Sequence, residues 1–322
     1  LREYASNKSG RGNLNEVIFR IEPTAQINEH WVAKARVDYR TDLNTSRNST
    51  DHSWAENTGD VYPAAADMTL DRAWVEGSYG NTLIRLGKLP YRTIADHGLV
   101  MEQQVSGGQV TFGRDIKATL TAGRAANTWY SGWPAEYTYS YQGLEVYNDR
   151  QRRFTWGLGY HHFRAEQLGL ILAGPRQGQA NDYGHSDARI VAVGLGYRFS
   201  PTLALQGALA WNTIGCLQSE YSYERTAYRL QLDYKQADPA RPHSFGLYAA
   251  WARYGSRASM LVNLEDSMRP QLQPDICGWE VGGSYTLDKN IVGSLAYSSY
   301  DALEHKVGNR YRMLFARVAC FF

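Results

Sequence analysis

Residues 31 to 41 read Trp31-Val32-Ala33-Lys34-Ala35-Arg36-Val37-Asp38-Tyr39-Arg40-Thr41. Trp31, Ala33, Ala35, Val37 and Tyr39 fall on one side of this stretch, and Lys34, Arg36, Asp38 and Arg40 on the other. A period of two is the mark of a β-strand, because successive side chains of a pleated chain point to opposite faces. A single such strand also suits a soluble sandwich, so the argument rests on how often the pattern recurs.

It recurs along the whole chain. Val17, Phe19 and Ile21 stand opposite Arg20 and Glu22, and Ile116, Ala118, Leu120 and Ala122 opposite Lys117, Thr119 and Thr121. The alternation returns at 153–164, 187–199, 202–213, 222–235, 243–254, 276–287 and 291–300, and more weakly at 68–79, 82–89, 105–113 and 138–148. Between these strands the connections alternate in length. Short turns at 27–30, 80–82, 149–152, 200–201 and 288–290 are interleaved with long polar stretches at 42–67, 90–104, 127–137, 165–186, 213–221 and 255–275. A sandwich has no reason to alternate in this way, whereas a transmembrane barrel has short turns at one end and long loops at the other. Trp31, Tyr79, Phe154, Phe199, Tyr234, Phe245 and Tyr285 all lie near a short turn. Amphipathic rings favour the lipid headgroup level, so these seven are expected to form a girdle.

Composition agrees. Mean hydropathy is −0.49, and no apolar run nears the ~18 residues that a membrane helix requires; the longest candidates are 168–173 and 190–195. A helical membrane protein is excluded. A barrel is not, because alternation keeps the average hydropathy low. A formal charge of +2 with no clustered basic face argues against a nucleic-acid partner. Cys216, Cys277 and Cys320 have no metal-like spacing, and no structural disulfide is expected.

The expected fold is thus all-β, a transmembrane antiparallel barrel. Fourteen strands are read between residues 15 and 300, with a final one at 309–322. An even number lets first and last strands close antiparallel, so a sixteenth is expected at Leu1 to Ala5. On this reading the chain starts inside its first strand, which is truncated, and the barrel fills residues 1–322 as a single domain.

The closing stretch Arg312-Met313-Leu314-Phe315-Ala316-Arg317-Val318-Ala319-Cys320-Phe321-Phe322 is an alternating strand with a terminal aromatic. It resembles the C-terminal assembly signal of outer-membrane general porins. More narrowly, Ala73-Trp74-Val75-Glu76-Gly77, Arg85-Leu86-Gly87-Lys88 and Gly107-Gly108-Gln109-Val110-Thr111-Phe112-Gly113 resemble the barrel of OmpM-type porins, which carry an N-terminal S-layer-homology domain. The resemblance implies a bacterial outer-membrane location in contact with lipid, a homotrimer, and passage of small hydrophilic solutes. It also implies a cell-wall polymer as partner through an N-terminal tether domain that this chain lacks. Residues 90–104 then fall between the fifth and sixth strands, where trimeric porins carry the inward constriction loop.

Selectivity in such a channel comes from aperture and lining charges. Arg20, Lys34, Arg36, Arg40, Arg72 and Arg85 form a candidate basic wall, and Tyr91, Arg92, Asp96, His97 and Glu102 belong to the constriction loop. Two readings of these charges stand. Asp96 and Glu102 face the basic wall and set a transverse field, or Glu22, Asp38 and Glu76 pair with the bases and leave a solvated wall. His97 and Tyr91 touch solutes or pack the loop against the wall. Three functional classes follow: a diffusion channel, a substrate-specific channel with Tyr139, Tyr141 and Tyr147 as an aromatic track, and a barrel serving chiefly as a tether's membrane end. No HExxH, GxSxG, P-loop or dinucleotide fingerprint occurs, and His161 and His162, being adjacent on a strand, cannot both face the lumen, so an enzyme is not expected. No cofactor is expected, although Asp182 to Asp187 and Glu265-Asp266 offer oxygen ligands for a loop Ca²⁺.

Overall fold

A computed structural model describes residues 2–6, 10–14, 16–42, 67–126, 138–148, 151–164, 187–214, 225–260, 275–303 and 310–322. Sixteen strands run through them. β1 is Arg2–Ser6, and β2 runs in three collinear pieces, Gly10–Leu14, Glu16–Ile21 and Thr24–Gln26. β3 (Trp31–Asp42), β4 (Asp67–Tyr79), β5 (Thr82–Arg92), β6 (Glu102–Gly113) and β7 (Ile116–Ala126) follow. Next come β8 (Thr138–Asn148), β9 (Phe154–Arg164), β10 (Asp187–Ser200) and β11 (Leu203–Asn212). β12 (Thr226–Lys235), β13 (Phe245–Tyr254), β14 (Ile276–Asp288), β15 (Ile291–Ala302) and β16 (Arg310–Cys320) complete the order.

Each strand pairs antiparallel with the next. β1 pairs on one side with β2, Arg2↔Leu14 to Ser6↔Gly10, and on the other with β16, Arg2↔Phe315 to Ser6↔Tyr311. Every strand therefore has two partners, and the pairings close a ring. Arg2–Ser6 takes the place that sequence reasoning assigned to a sixteenth strand.

The apolar residues of the alternation face outward. Phe19, Leu120, Leu158, Leu195, Leu230, Leu247 and Leu295 are all exposed, whereas their neighbours on the other face, such as Thr119, Thr121, Glu145, His161 and Glu280, are buried. The arrangement is the reverse of a soluble domain, where exposure goes with charge. Four described connections at one end are tight, 80–81, 114–115, 201–202 and 289–290, with Gly80 and Asn290 supplying the left-handed backbone that two-residue turns require, while 236–244 at the same end is longer. Near that end Tyr79, Phe154, Phe199, Tyr234 and Tyr285 are exposed on the outer face, and Trp31 Nε1 donates to Tyr79 Oη at 2.7 Å. The terminal Phe322 stacks on Phe19, with ring centroids 5.7 Å apart.

Two strands outrun their expected bounds. β5 continues to Arg92 and β6 begins at Glu102, so Tyr91, Arg92 and Glu102 lie on strands, and the connection between them is 93–101 rather than 90–104. Pro90 pairs with Gln104 in this extension, yet β4 stops pairing with β5 at Ala73↔Lys88. The missing proline N–H thus faces no strand and costs no ladder bond.

Candidate pore and constriction loop

Residues 93–101 turn into the barrel and lie against its inner wall. Glu145 on β8, fully buried, accepts the backbone N–H groups of Ile94 (2.6 Å) and Ala95 (2.8 Å) on Oε1, and the Tyr91 hydroxyl (3.0 Å) on Oε2. Tyr91 also bonds Tyr141 Oη at 2.9 Å, which in turn bonds His161 Nδ1 at 2.8 Å. Asp96 Oδ2 lies 3.4 Å from His161 Nε2, and both side chains are out of solvent. The other Asp96 oxygen takes the Thr93 hydroxyl and the Leu99 N–H (2.9 Å). Burial alone would raise the Asp96 carboxyl, but His161, Thr93 and the Val100 N–H together hold it below the ordinary carboxylate value.

Glycines make this seat possible. A Cβ on Gly194 of β10 would lie 2.0 Å from Ala95 O, and one on Gly157 of β9 would lie 2.6 Å from Ala95 Cα. Only bare backbone lets the loop approach so closely. At its tip His97 and Gly98 both have positive φ, and the Arg92 guanidinium donates to His97 O at 2.6 Å.

A second segment also turns inward. Residues 255–260, after β13, are all buried. Met260 N donates to Val100 O at 2.9 Å, and Ser259 Oγ to Leu99 O at 2.7 Å. The two segments enter from positions eight strands apart in a ring of sixteen, and so from opposite sides. Around them, toward the long-loop ends of β6 to β16, the inner face is apolar: Val105, Phe163, Ile190, Tyr254, Ile276 and Tyr300 pack into one cluster with Leu99, Val100, Met101, Ala258 and Met260.

The residues read from sequence as basic wall lie on β2 to β5, opposite in direction to the exposed apolar side chains. Each described one has an acid beside it. Arg20 meets Asp38 through two bonds of 2.7 Å, Arg36 meets Glu22 at 2.6 Å, and Arg72 lies 3.0 Å from Asp71. Glu76 bridges Lys34 (3.1 Å) and Arg85 (2.6 Å). Five bases thus face four acids, the geometry of the paired reading. Arg40 belongs to β3, but its side chain lies outside the described residues.

The loop residues separate into two groups. Tyr91 and Asp96 are packed into the seat and do not face open space, so Asp96 is not placed to act as the acidic counterpart of the wall. Arg92, His97 and Glu102 line a cavity of about 300 Å³, whose far side is Gln206, Arg229, Gln231, Tyr248 and Glu280 of β11 to β14. There Arg229 donates to Tyr254 Oη (2.7 Å), to Gln231 and to Glu280.

Tyr139, Tyr141 and Tyr147 all point inside, and none faces outward, but they are packed in the wall (1%, 1% and 7% exposed) and form no open track. Of the adjacent histidines, His161 faces in and His162 faces out, with its Nε2 3.5 Å from Asp187. Glu145, Arg229, Glu280 and Ser259 did not stand out in the sequence. The alternation does place Glu145 on the face of Tyr141 and Tyr147, which was the available signal. Residues 182–186 and 265–266 lie outside the described residues, and among those described no group of three or more His, Cys, Asp or Glu could hold a metal.

No family model matches the chain, and no curated protein matches it. Solved structures do. A quintuple mutant of Rhodopseudomonas blastica porin superposes with a TM-score of 0.52 at 9% identity, covering 99% of this chain and 97% of that one. A triple mutant of the same porin gives 0.50 at 10% identity, covering 98% and 97%. A structure concerned with the asymmetric conductivity of engineered proteins gives 0.51 at 9%, covering 99% and 98%. At these identities the likeness is one of fold: the chain has the architecture of a porin barrel.

Proposed function

We propose that the chain forms a water-filled channel in a bacterial outer membrane, through which small hydrophilic solutes and ions diffuse passively, and that it is not an enzyme. The observation that carries this is the inverted surface. Thirty-five large apolar residues are exposed on the described chain, Leu and aromatic side chains of the strands prominent among them, while Arg20, Lys34, Arg36, Arg85, Glu76 and Asp38 point inside. An outward apolar face needs hydrocarbon, and an inward charged one needs water.

Passage follows the β2–β6 wall, where paired charges present a polar surface of little net sign. No side chain there is arranged for chemistry, so selection works by aperture and by local field. The aromatic track required for a substrate-specific channel is not supported, since its tyrosines are buried. On the resemblance of 73–77, 85–88 and 107–113 alone, the barrel assembles as a homotrimer and serves as the membrane end of a tether to cell-wall polymer.

Planar-bilayer recording on the purified full chain tests the proposal. Large ohmic steps with weak selectivity are expected. A protein that shows heat-modifiable gel migration, and hence a closed barrel, but passes no current would refute it, as would small steps blocked by one class of solute.

A further inference from the structure

One cross-strand row on the outer face carries three cations, Lys88, Arg124 and Arg164, and its single acid among the described residues is Asp187 at the end of the row. Lys88 of β5 stands opposite Ser106 of β6, Ser106 opposite Arg124 of β7, Arg124 opposite Ser140 of β8, and Ser140 opposite Arg164 of β9. Ser106, Arg124, Ser140 and Arg164 are exposed, and the alternate residues Val105, Ala125, Tyr139 and Phe163 are fully buried, so the row points away from the lumen. Neighbouring strands are about 4.8 Å apart, which spaces the cations at roughly 10 Å with a serine hydroxyl between each pair.

Lys88, Arg124 and Arg164 make no ion pair among the described residues. The acid nearest in register, Asp187 opposite Arg164, is engaged by Arg189 (3.2 Å) and His162 (3.5 Å). Such charges at the margin of an apolar belt call for an anion.

Directly beside the row, toward the short-turn end, the belt has a groove of about 460 Å³. Leu86, Leu120, Leu144 and Tyr160 wall it, and the small side chains at Gly108 and Ala122 leave it open. Row and groove are two residues apart on β5 to β8 and four apart on β9, so a lipid head on the row can lay its tail in the groove.

We infer that the outer face of β5 to β9 binds a phosphorylated lipid. Its phosphate sits between Arg124 and Arg164, with the Ser106 and Ser140 hydroxyls as further donors, and one acyl chain lies over Gly108 and Ala122. Guanidinium groups suit this role because their donors match phosphate oxygens in pairs. The inference rests on the membrane reading above, but its test does not depend on conduction.

The full chain in detergent micelles is mixed with equal amounts of dimyristoyl phosphatidic acid and dimyristoyl phosphatidylcholine, and the retained lipid is counted by native mass spectrometry. The two lipids share acyl chains and differ in head group. Phosphatidic acid is expected to be retained at least tenfold more often. The double variant Arg124→Gln/Arg164→Gln brings the ratio to within twofold of one, whereas Arg312→Gln, an exposed arginine on β16, leaves it unchanged. Gly108→Leu fills the groove and lowers retention of both lipids at least threefold. Equal retention of the two lipids by the natural chain overturns the inference, as does an unaltered ratio in the double variant or an equal drop in Arg312→Gln. A Gly108→Leu variant that loses self-association while keeping its lipid would assign the groove to a second copy and also overturn it. Heat-modifiable migration of each variant confirms the barrel, and bilayer steps of the double variant judge the channel proposal separately.

Discussion

Replacing Glu145 by Ala removes the acceptor that seats the inward loop. Two backbone donors, Ile94 N and Ala95 N, lose a buried partner, while Tyr91 keeps its bond to Tyr141. An orphaned buried donor costs about 1–3 kcal/mol, so two cost about 2–6 kcal/mol. The deleted carboxyl leaves a polar void that admits water, which favours the low end of the range. Even about 2 kcal/mol shifts the ratio of seated to released loop by roughly thirtyfold. Single-channel recording reads this directly: Glu145→Ala gives flickering current and a raised mean conductance, because a released loop no longer holds the aperture. Glu145→Gln retains an oxygen for the two N–H groups and presents an amide donor to Tyr91 Oη, so its trace stays close to that of the natural chain. A heat-modifiable Glu145→Ala barrel with quiet, unchanged steps would refute the reasoning, since the loop would then be held by something other than this carboxylate.

The glycine seat makes an independent forecast. At Gly194→Val the new Cβ, 2.0 Å from Ala95 O, must push the loop back by more than 1 Å and reproduce the noise of Glu145→Ala, whereas Gly293→Ala, whose Cβ meets nothing nearer than 3.5 Å, leaves the trace quiet. Asp38→Asn removes the negative charge facing Arg20 and moves the reversal potential in a KCl gradient toward chloride, while Arg36→Gln/Arg72→Gln moves it toward potassium; no response to either would mean that ions do not pass this wall. Asp96 is held below the ordinary carboxylate value, so its contribution to the seat is complete above about pH 4 and is lost as pH falls through the lowered value. Current noise is therefore expected to rise as pH falls below about 4, with Asp96→Asn showing the noise already at neutral pH.

The barrel was legible in the chain because the pleat imposes a period of two, and a face in contact with hydrocarbon must repeat it on every strand. Trp31 to Tyr39 is enough to show the period, and the unequal connections supply the closure. What stayed hidden was tertiary. The stretch Gly255-Ser256-Arg257-Ala258-Ser259-Met260 reads as a polar surface loop, yet all six residues are buried. Nothing local marks a connection that folds inward, since its partners, Leu99 and Val100, lie some 160 positions earlier. Likewise the charges of the wall were readable as a set, but which base meets which acid depends on register. The bulge between Arg36 and Val37 is what brings Asp71 beside Arg72, and no pattern of types predicts it.

Strand number sets the perimeter of a barrel, but side chains and loops set what remains open. Here the loop after β5 and the segment after β13 start on opposite sides and meet through Val100 and Met260, so together they form a bar across the lumen. The wall of β7 to β16 is filled against this bar at its long-loop end: Phe163, Ile190 and Tyr300 have no solvent contact. The wall of β2 to β5 is not, and the side chains of Arg20, Lys34 and Arg85 keep about a third of their surface in the open. Apolar filling on one side and solvated ion pairs on the other follow from the same bar. If it held only one loop, the loss of Ser259 would matter little. Because it joins two, the position of the bar depends as much on residues 255–260 as on residues 93–101.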